Sequence, residues 1–436
     1  MMTHRSFALA ISLSVAACAT TAPGDERDEL VAGAEQGVIA DGVISPFILF
    51  KGNTGNGSTE VHHSYRIPAI INAGKGRLIA VAEGRVDSAA DYGNINLVMR
   101  RSTDNGATWA RQEQFWNAPD RLGTIGNPTL VYDPAASRVW LFASENDSKH
   151  SLGGAGGLTP VGVGDRRTWV RYTDPDKWVA GSTANIWSTP VNVTSSVTPK
   201  DYTWDAMGPG IGIVTAKGGH PGRIVIPARG RVIYSDDHGA SWHYHLTGDA
   251  ALNETTVAEL ASGALYVNAR SQDDSKRRQI KTSQDDGATW TAWHADSALT
   301  EAKVEASVLR YNFDAPARLA FFNPTSTTQR DNMEIKLSYD DGATWPIRRV
   351  VDAGQGGYSS MIKTSDFSIA ALYESGVGSD SYDDIKLTKL DLKWILNGRA
   401  EPKVGWDQVV RADLDGNGDD EPGATGSATA RSPGPR

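Results

Sequence analysis

Apolar residues are spread through the chain in short stretches rather than long runs. Ile95–Arg101 and Met333–Leu337 alternate or carry β-formers, and each leads into a turn-rich segment. This pattern predicts strands entering tight hairpins. The turns share one octapeptide, Ser-x-Asp-x-Gly-x-Thr/Ser-Trp. It occurs at Ser102–Trp109, Ser235–Trp242, Ser283–Trp290 and Ser338–Trp345. The Asp and Ser side chains can bond nearby backbone N–H groups. The Gly supplies positive φ, and the Trp returns the chain to a buried face.

The first residues of the copies lie 133, 48 and 55 positions apart, and Tyr172–Trp178 stands in the longest gap as a degenerate copy. A period of this size indicates a propeller or a solenoid, and four-stranded blades suit the turn chemistry best. Residues 44–397 then divide into six blades of about 59 residues, so the predicted fold is an all-β, six-bladed β-propeller. The octapeptides are read as structural turns, without a catalytic part.

Composition supports many short strands: 45 Gly, 13 Trp and 13 Tyr among 436 residues. The 43 basic and 52 acidic residues leave a net charge of −9, which argues against a nucleic-acid partner. A single Cys excludes an intramolecular disulfide framework and a paired-cysteine zinc module.

That Cys has a particular place. His4 and Arg5 precede an eleven-residue apolar run, Phe7–Ala17, which is too short to span a bilayer but suits an export signal. The run ends in Val15-Ala16-Ala17-Cys18, which resembles a bacterial lipobox. Residues 1–17 are therefore expected to be a lipoprotein-type signal peptide, with Cys18 lipidated. Residues 18–43 form a polar tether and 398–436 a tail without globular character. The expected location is the cell envelope, beyond the bacterial inner membrane, periplasmic or surface-exposed.

The octapeptides resemble the Asp-boxes of sialidases, which unrelated propellers also carry. A more specific resemblance is Tyr65-Arg66-Ile67-Pro68, similar to the Arg-Ile-Pro motif of bacterial exo-α-sialidases. After it come Ala82-Glu83-Gly84-Arg85, Asp91-Tyr92-Gly93, Gly208-Pro209-Gly210, Asn253-Glu254 and Asn268-Ala269-Arg270. Asn323-Pro324 with Arg330, Tyr358-Ser359 and Leu372-Tyr373-Glu374 complete the order.

The resemblance implies a substrate with a carboxylate on its anomeric carbon, a terminal sialic acid on a glycan. An arginine fork suits a carboxylate best, and the family's three arginines correspond to Arg66, Arg270 and Arg330. A carboxylate nucleophile would be repelled by the substrate, so a neutral group activated by a base is preferable, and sialidases use Tyr. Tyr358 corresponds to that nucleophile and Glu254 to its base. Asp91 corresponds to the general acid/base, with Asp87 as its competitor. Arg85 is expected toward a ring hydroxyl and Glu374 behind Arg66.

No cofactor or metal is expected. His243 and His245 are read as alternate outward side chains of a strand rather than a metal pair, and His62 with His63 carries no functional signal. Lys276-Arg277-Arg278 is read as a solvated loop, and Asp413–Asp419 as an incomplete calcium-loop pattern. The expected activity is exo-α-sialidase hydrolysis with retention. Rival readings are a non-hydrolytic glycan- or protein-binding propeller, a trans-sialidase, and an enzyme preferring a desacetylated sialic acid.

Overall fold

The structure, a computed structural model, describes residues 39–401 except 41–42, 119, 121, 179–185, 249–252 and 377–382. The expected signal peptide, Cys18, the calcium-loop pattern and most of the predicted tether and tail lie outside the described residues.

The fold is all-β and built as a β-propeller. Three four-stranded antiparallel meanders follow one another: Ile213–Val214 to His243–Leu246, Thr255–Glu259 to His294–Thr300, and Ser307–Asn312 to Ile347–Gln355. A five-stranded sheet joins the chain ends, because Val43–Phe50 pairs antiparallel with Asp384–Leu390. This pairing closes the ring and removes the free edges that a linear array would leave.

Four blades thus stand as separate sheets, rather than the six expected. Apart from a small parallel pair, His150–Ser151 with Thr159–Pro160, the remaining described strands form one nine-stranded sheet. It holds Ser64–Asn72 to Glu113–Trp116, then Thr124–Asp133 to Val191–Asn192, with Gly210–Ile211 at its edge. One parallel pairing, Ile95 with Thr124, fuses its two four-stranded portions.

Burial explains why simple alternation is weak in the sequence. Inner strands such as Thr255–Glu259 and Leu265–Ala269 are buried throughout, since neighbouring sheets cover both faces. Outer strands such as His243–Leu246 and Ile347–Gln355 keep exposed positions. Innermost strands of successive sheets are also bonded to one another, as where Ile70 N donates to Ser360 Oγ at 3.1 Å.

The four octapeptides fold alike. In the first, Ser102 Oγ donates to Asp104 Oδ1 at 2.7 Å and accepts from Gly106 N at 2.9 Å. Asp104 also accepts from Thr108 N at 2.9 Å and Thr108 Oγ1 at 2.5 Å. Asn105 and Gly106 both have positive φ, 58° and 84°, which is the hairpin-turn geometry. Each copy joins the third and fourth strands of its unit. The degenerate copy occupies that same connection, but there Asp174 caps a short 3-10 turn at Pro175–Lys177.

A second sequence expectation is overturned. Arg278 is fully buried and bonds Glu301 Oε2 at 2.7 Å and Asn268 Oδ1 at 2.6 Å, so the basic run is not a solvated loop. His243 and His245 are strand residues, with His245 stacked on Tyr234 at 4.6 Å, whereas His62 precedes its strand and is buried, its ring 2.8 Å from Gln114 Oε1. Among the described residues no helix is long and apolar enough to cross a membrane.

Candidate active site

The site is assembled from pairs that begin the inner hairpins. Arg66 lies opposite Glu83 in the ladder between Ser64–Asn72 and Leu78–Arg85. Glu254 and Arg270 flank the Thr255–Ala269 pairing, and Arg270 N donates to Glu254 O at 2.8 Å. Tyr358 and Glu374 stand at the start of the hairpin that pairs Ser359–Lys363 with Ile369–Ser375, with Glu374 N donating to Tyr358 O at 3.0 Å. Residues 16 positions apart therefore meet because antiparallel register places them side by side.

A backbone irregularity aims Arg66. Ile67 has φ of 55°, a conformation β-branched residues avoid, at a register shift between Arg66 and Ala69. Pro68 follows and has no N–H to lose from the ladder. Glu374 Oε1 accepts from Ile67 N at 2.9 Å and holds the turn. The same carboxylate takes Arg66 Nε at 3.1 Å and Arg66 Nη2 at 3.3 Å.

Tyr358 is the centre of the arrangement. Its Oη donates to Glu254 Oε1 at 2.5 Å and accepts from Arg270 Nη1 at 2.9 Å. Arg270 Nη1 also donates to Glu254 Oε2 at 2.8 Å. The guanidinium carbons of Arg66 and Arg330 lie 5.3 and 5.8 Å from the centre of the Tyr358 ring. Burial, then Glu254, push the phenol well above its ordinary range, while Arg270, Arg66 and Arg330 oppose them. The resting phenol therefore keeps its proton.

Asp91 lies on the connection between Leu78–Arg85 and Ile95–Ser102, with its side chain 76% exposed. One oxygen, Oδ1, accepts from Arg66 Nη1 at 3.0 Å and from Arg85 Nη1 at 2.7 Å. Desolvation works against ionisation, but Arg85 and Arg66 prevail and hold the carboxyl below its ordinary range.

The structure thus brings Arg66, Arg85, Asp91, Glu254, Arg270, Arg330, Tyr358 and Glu374 together at one end of the propeller. Arg85 faces protein partners: Glu83 Oε2 at 2.6 Å, Ala89 O at 2.6 Å and Asp91. Arg330 Nη2 donates to Lys303 O at 2.9 Å. Arg310, on the strand Ser307–Asn312, is paired with Asp341 instead.

A cleft of about 170 Å³ opens here, walled by Arg85, Asp91, Asn127, Arg166, Trp204 and Glu254. A larger groove of about 860 Å³, around Trp140, Tyr172 and Trp242, holds none of these residues.

Sequence reasoning missed several participants. Glu83 lies inside a quoted motif yet had no role assigned, and it anchors both Arg85 and Asn127 N, the latter at 2.9 Å. Buried Arg166 lies 3.9 Å over the Trp204 ring and donates to Asn127 Oδ1 at 2.8 Å. Burial lowers its pKa to about 10. No local signal marks Arg166 among 43 basic residues. Among the described residues no group of three or more His, Cys, Asp or Glu could hold a metal ion.

Three arginines around a phenol bonded to a carboxylate, with an exposed carboxylate across the cleft, are the groups that would suit a glycoside hydrolase acting on an anionic sugar. Comparison with known proteins leads to the same class. Residues 76–371 match the BNR repeat-like domain family. The chain is 37% identical over 361 residues to an exo-alpha-sialidase of Aspergillus fumigatus, covering 77% of this chain and 86% of that one. A second exo-alpha-sialidase, of Arthroderma benhamiae, is 36% identical over 363 residues, covering 77% and 85%. Both are fungal, so the likeness extends beyond bacterial enzymes. The solved Hadza microbial sialidase Hz136 superposes with a TM-score of 0.68 at 26% identity, covering 80% of this chain and 68% of that one. This chain belongs to the sialidase family, within the BNR repeat-like group.

Proposed function

We propose that the protein is an exo-α-sialidase that releases terminal sialic acids from glycoconjugates with retention, through a tyrosyl-enzyme intermediate. The observation that carries this reading is the phenol of Tyr358 bonded at once to Glu254 and Arg270. A binding propeller has no use for a buried Tyr whose proton is already directed at a carboxylate.

The substrate carboxylate is received by Arg66, Arg270 and Arg330. To reach Arg66 it displaces Asp91, which holds that guanidinium in the resting site. The displacement has a chemical consequence. Asp91 loses a cation and gains an anionic neighbour, so its affinity for a proton rises when it must act as an acid. Tyr358 Oη then attacks the anomeric carbon as its proton passes to Glu254. The bond to the leaving oxygen breaks as Asp91 protonates that oxygen. In the second half, Asp91 takes a proton from water, water attacks the anomeric carbon, and Tyr358 Oη departs and recovers its proton from Glu254.

A fluorinated sialoside that reacts quickly and hydrolyses slowly tests the intermediate. Mass spectrometry of the digested enzyme is expected to find the sugar on Tyr358. Turnover of the probe with an adduct on another residue, or inversion at the anomeric carbon, would overturn the reading.

Two further readings belong with this proposal. The nine-stranded sheet is taken as two blades fused at Ile95 and Thr124, which with the three four-stranded sheets and the five-stranded one makes six units. Residues 1–17 are taken as an export signal and Cys18 as a lipid attachment point at the cell envelope. Mass spectrometry of the membrane fraction finding an unmodified Cys18 would end the anchoring claim.

A further inference from the structure

The backbone of Tyr358 is held from two sides. Its own N–H donates to Glu374 Oε2 at 3.1 Å, and the next amide, Ser359 N, donates to Glu305 Oε2 at 2.9 Å. Glu374 belongs to the same hairpin as Tyr358. Glu305 comes from the preceding sheet, just before the strand Ser307–Asn312. It is only 2% exposed, and neither the acid/base nor the anion-binding chemistry employs it. Its Oε1 is buried with no hydrogen-bond partner among the described residues.

The segment carrying Glu305 grips Tyr358 twice. Val304 packs with Ile67 and the Tyr358 side chain, while Glu305 takes the amide beyond it. Arg278 Nη1 anchors the segment by donating to Val304 O at 2.7 Å. Arg278 also binds Asn268, two residues before Arg270. One buried guanidinium therefore links the supports of Tyr358 and Arg270, the two groups whose separation is 2.9 Å.

We propose that Glu305 is a positioning residue for Tyr358, and that its hydrogen bond from Ser359 N sets where the phenol oxygen stands between Glu254 and Arg270. The inference rests on the reading of Tyr358 as nucleophile. Burial pushes the Glu305 carboxyl well above its ordinary range, with Glu254 and Glu374 adding to the effect and Ser359 N and Arg278 opposing it. The part Glu305 plays for Ser359 N is that of an acceptor oxygen at a fixed place, and its second oxygen has no partner among the described residues. A glutamine amide of the same shape keeps that acceptor, so it can replace the carboxyl.

The test compares Glu305→Gln, Glu305→Met and Glu305→Asp in the full chain, with Tyr358→Phe alongside, on a fluorogenic α-sialoside. Glu305→Gln keeps the acceptor and is expected to stay within about twofold of the parent kcat, with an unchanged pH profile. Glu305→Met removes the acceptor and Glu305→Asp withdraws it by one methylene. Each is expected to lose about tenfold in kcat with KM nearly unchanged, because small displacements of a reacting group are costly. Rescue by Gln together with the kcat-against-KM split separates positioning from simple loss of stability. If Met does not fold, Asp keeps the comparison open. The inference is overturned if Gln loses as much as Met or Asp, or if a folded Met or Asp variant keeps the parent kcat. It fails alone if Tyr358→Phe is inactive in that same experiment. A fully active Tyr358→Phe would remove the nucleophile reading along with it.

Discussion

Glu374 is the buried support on which most of the site depends, and Glu374→Gln tests that dependence. The carboxylate is wholly buried and accepts four hydrogen bonds: Ile67 N and Arg66 Nε on Oε1, Tyr358 N and Arg66 Nη2 on Oε2. Glutamine keeps the shape but turns one oxygen into an amide donor. Either orientation sets that NH₂ against two N–H groups, one of them on Arg66. Two orphaned buried donors cost about 1–3 kcal/mol each, and removing one partner of a buried ion pair costs about 3–5 kcal/mol. These descriptions overlap, so the expected loss is about 4 kcal/mol, a large share of a typical 5–15 kcal/mol. Urea unfolding measures it as a lower midpoint at constant m. The loss also has a pH signature. Burial alone would raise Glu374, but Arg66 and the two amides hold it below its ordinary range. A depressed folded-state pKa stabilises above the unfolded value, about 4.3, and that contribution fades as pH falls through the folded value. The gap between parent and variant should therefore be full near neutrality and close in acid. A loss below about 1 kcal/mol, or a gap that widens in acid, would refute the reasoning.

Asp91→Ala should nearly abolish cleavage of natural glycosides yet spare substrates with an activated leaving group, and equal loss on both would contradict the acid role. Arg85→Met removes the closest cation beside Asp91, so the alkaline limb of kcat/KM should move to higher pH, and a limb that stays or moves down would contradict it. Ser102→Ala removes the buried hydroxyl that accepts from Asp104 N and Gly106 N at the base of the turn. It should cost about 1–2 kcal/mol in urea unfolding without changing kcat, and a comparable fall in kcat would show that the turns serve more than structure.

The octapeptide turns were legible because their chemistry is local: Ser102, Asp104, Gly106 and Thr108 satisfy one another within seven residues. The site residues were legible through the order of their motifs, since no spacing in the chain reveals that Tyr358 meets Glu254, 104 positions away. Glu305 acts on Ser359, 54 positions away, and Glu83 joins its neighbour Arg85 to Asn127, 44 positions away, so a single Glu carries no local mark of that work. Arg278 was misread for a related reason. A run of three cations looks solvated, but strand alternation turns Arg278 inward onto Glu301 and Asn268. The separate sheets were miscounted because one pairing at Ile95, invisible to any period, fuses two of the units.

The central claim is hydrolysis of a sialoside with retention by Tyr358, and the most direct measurement is proton NMR of the sugar released from an α-sialoside. The parent protein should release the α-anomer first, followed by slow mutarotation, and Tyr358→Phe should lose that time course. Initial release of the β-anomer, or an unchanged α-first time course from Tyr358→Phe, would contradict the account.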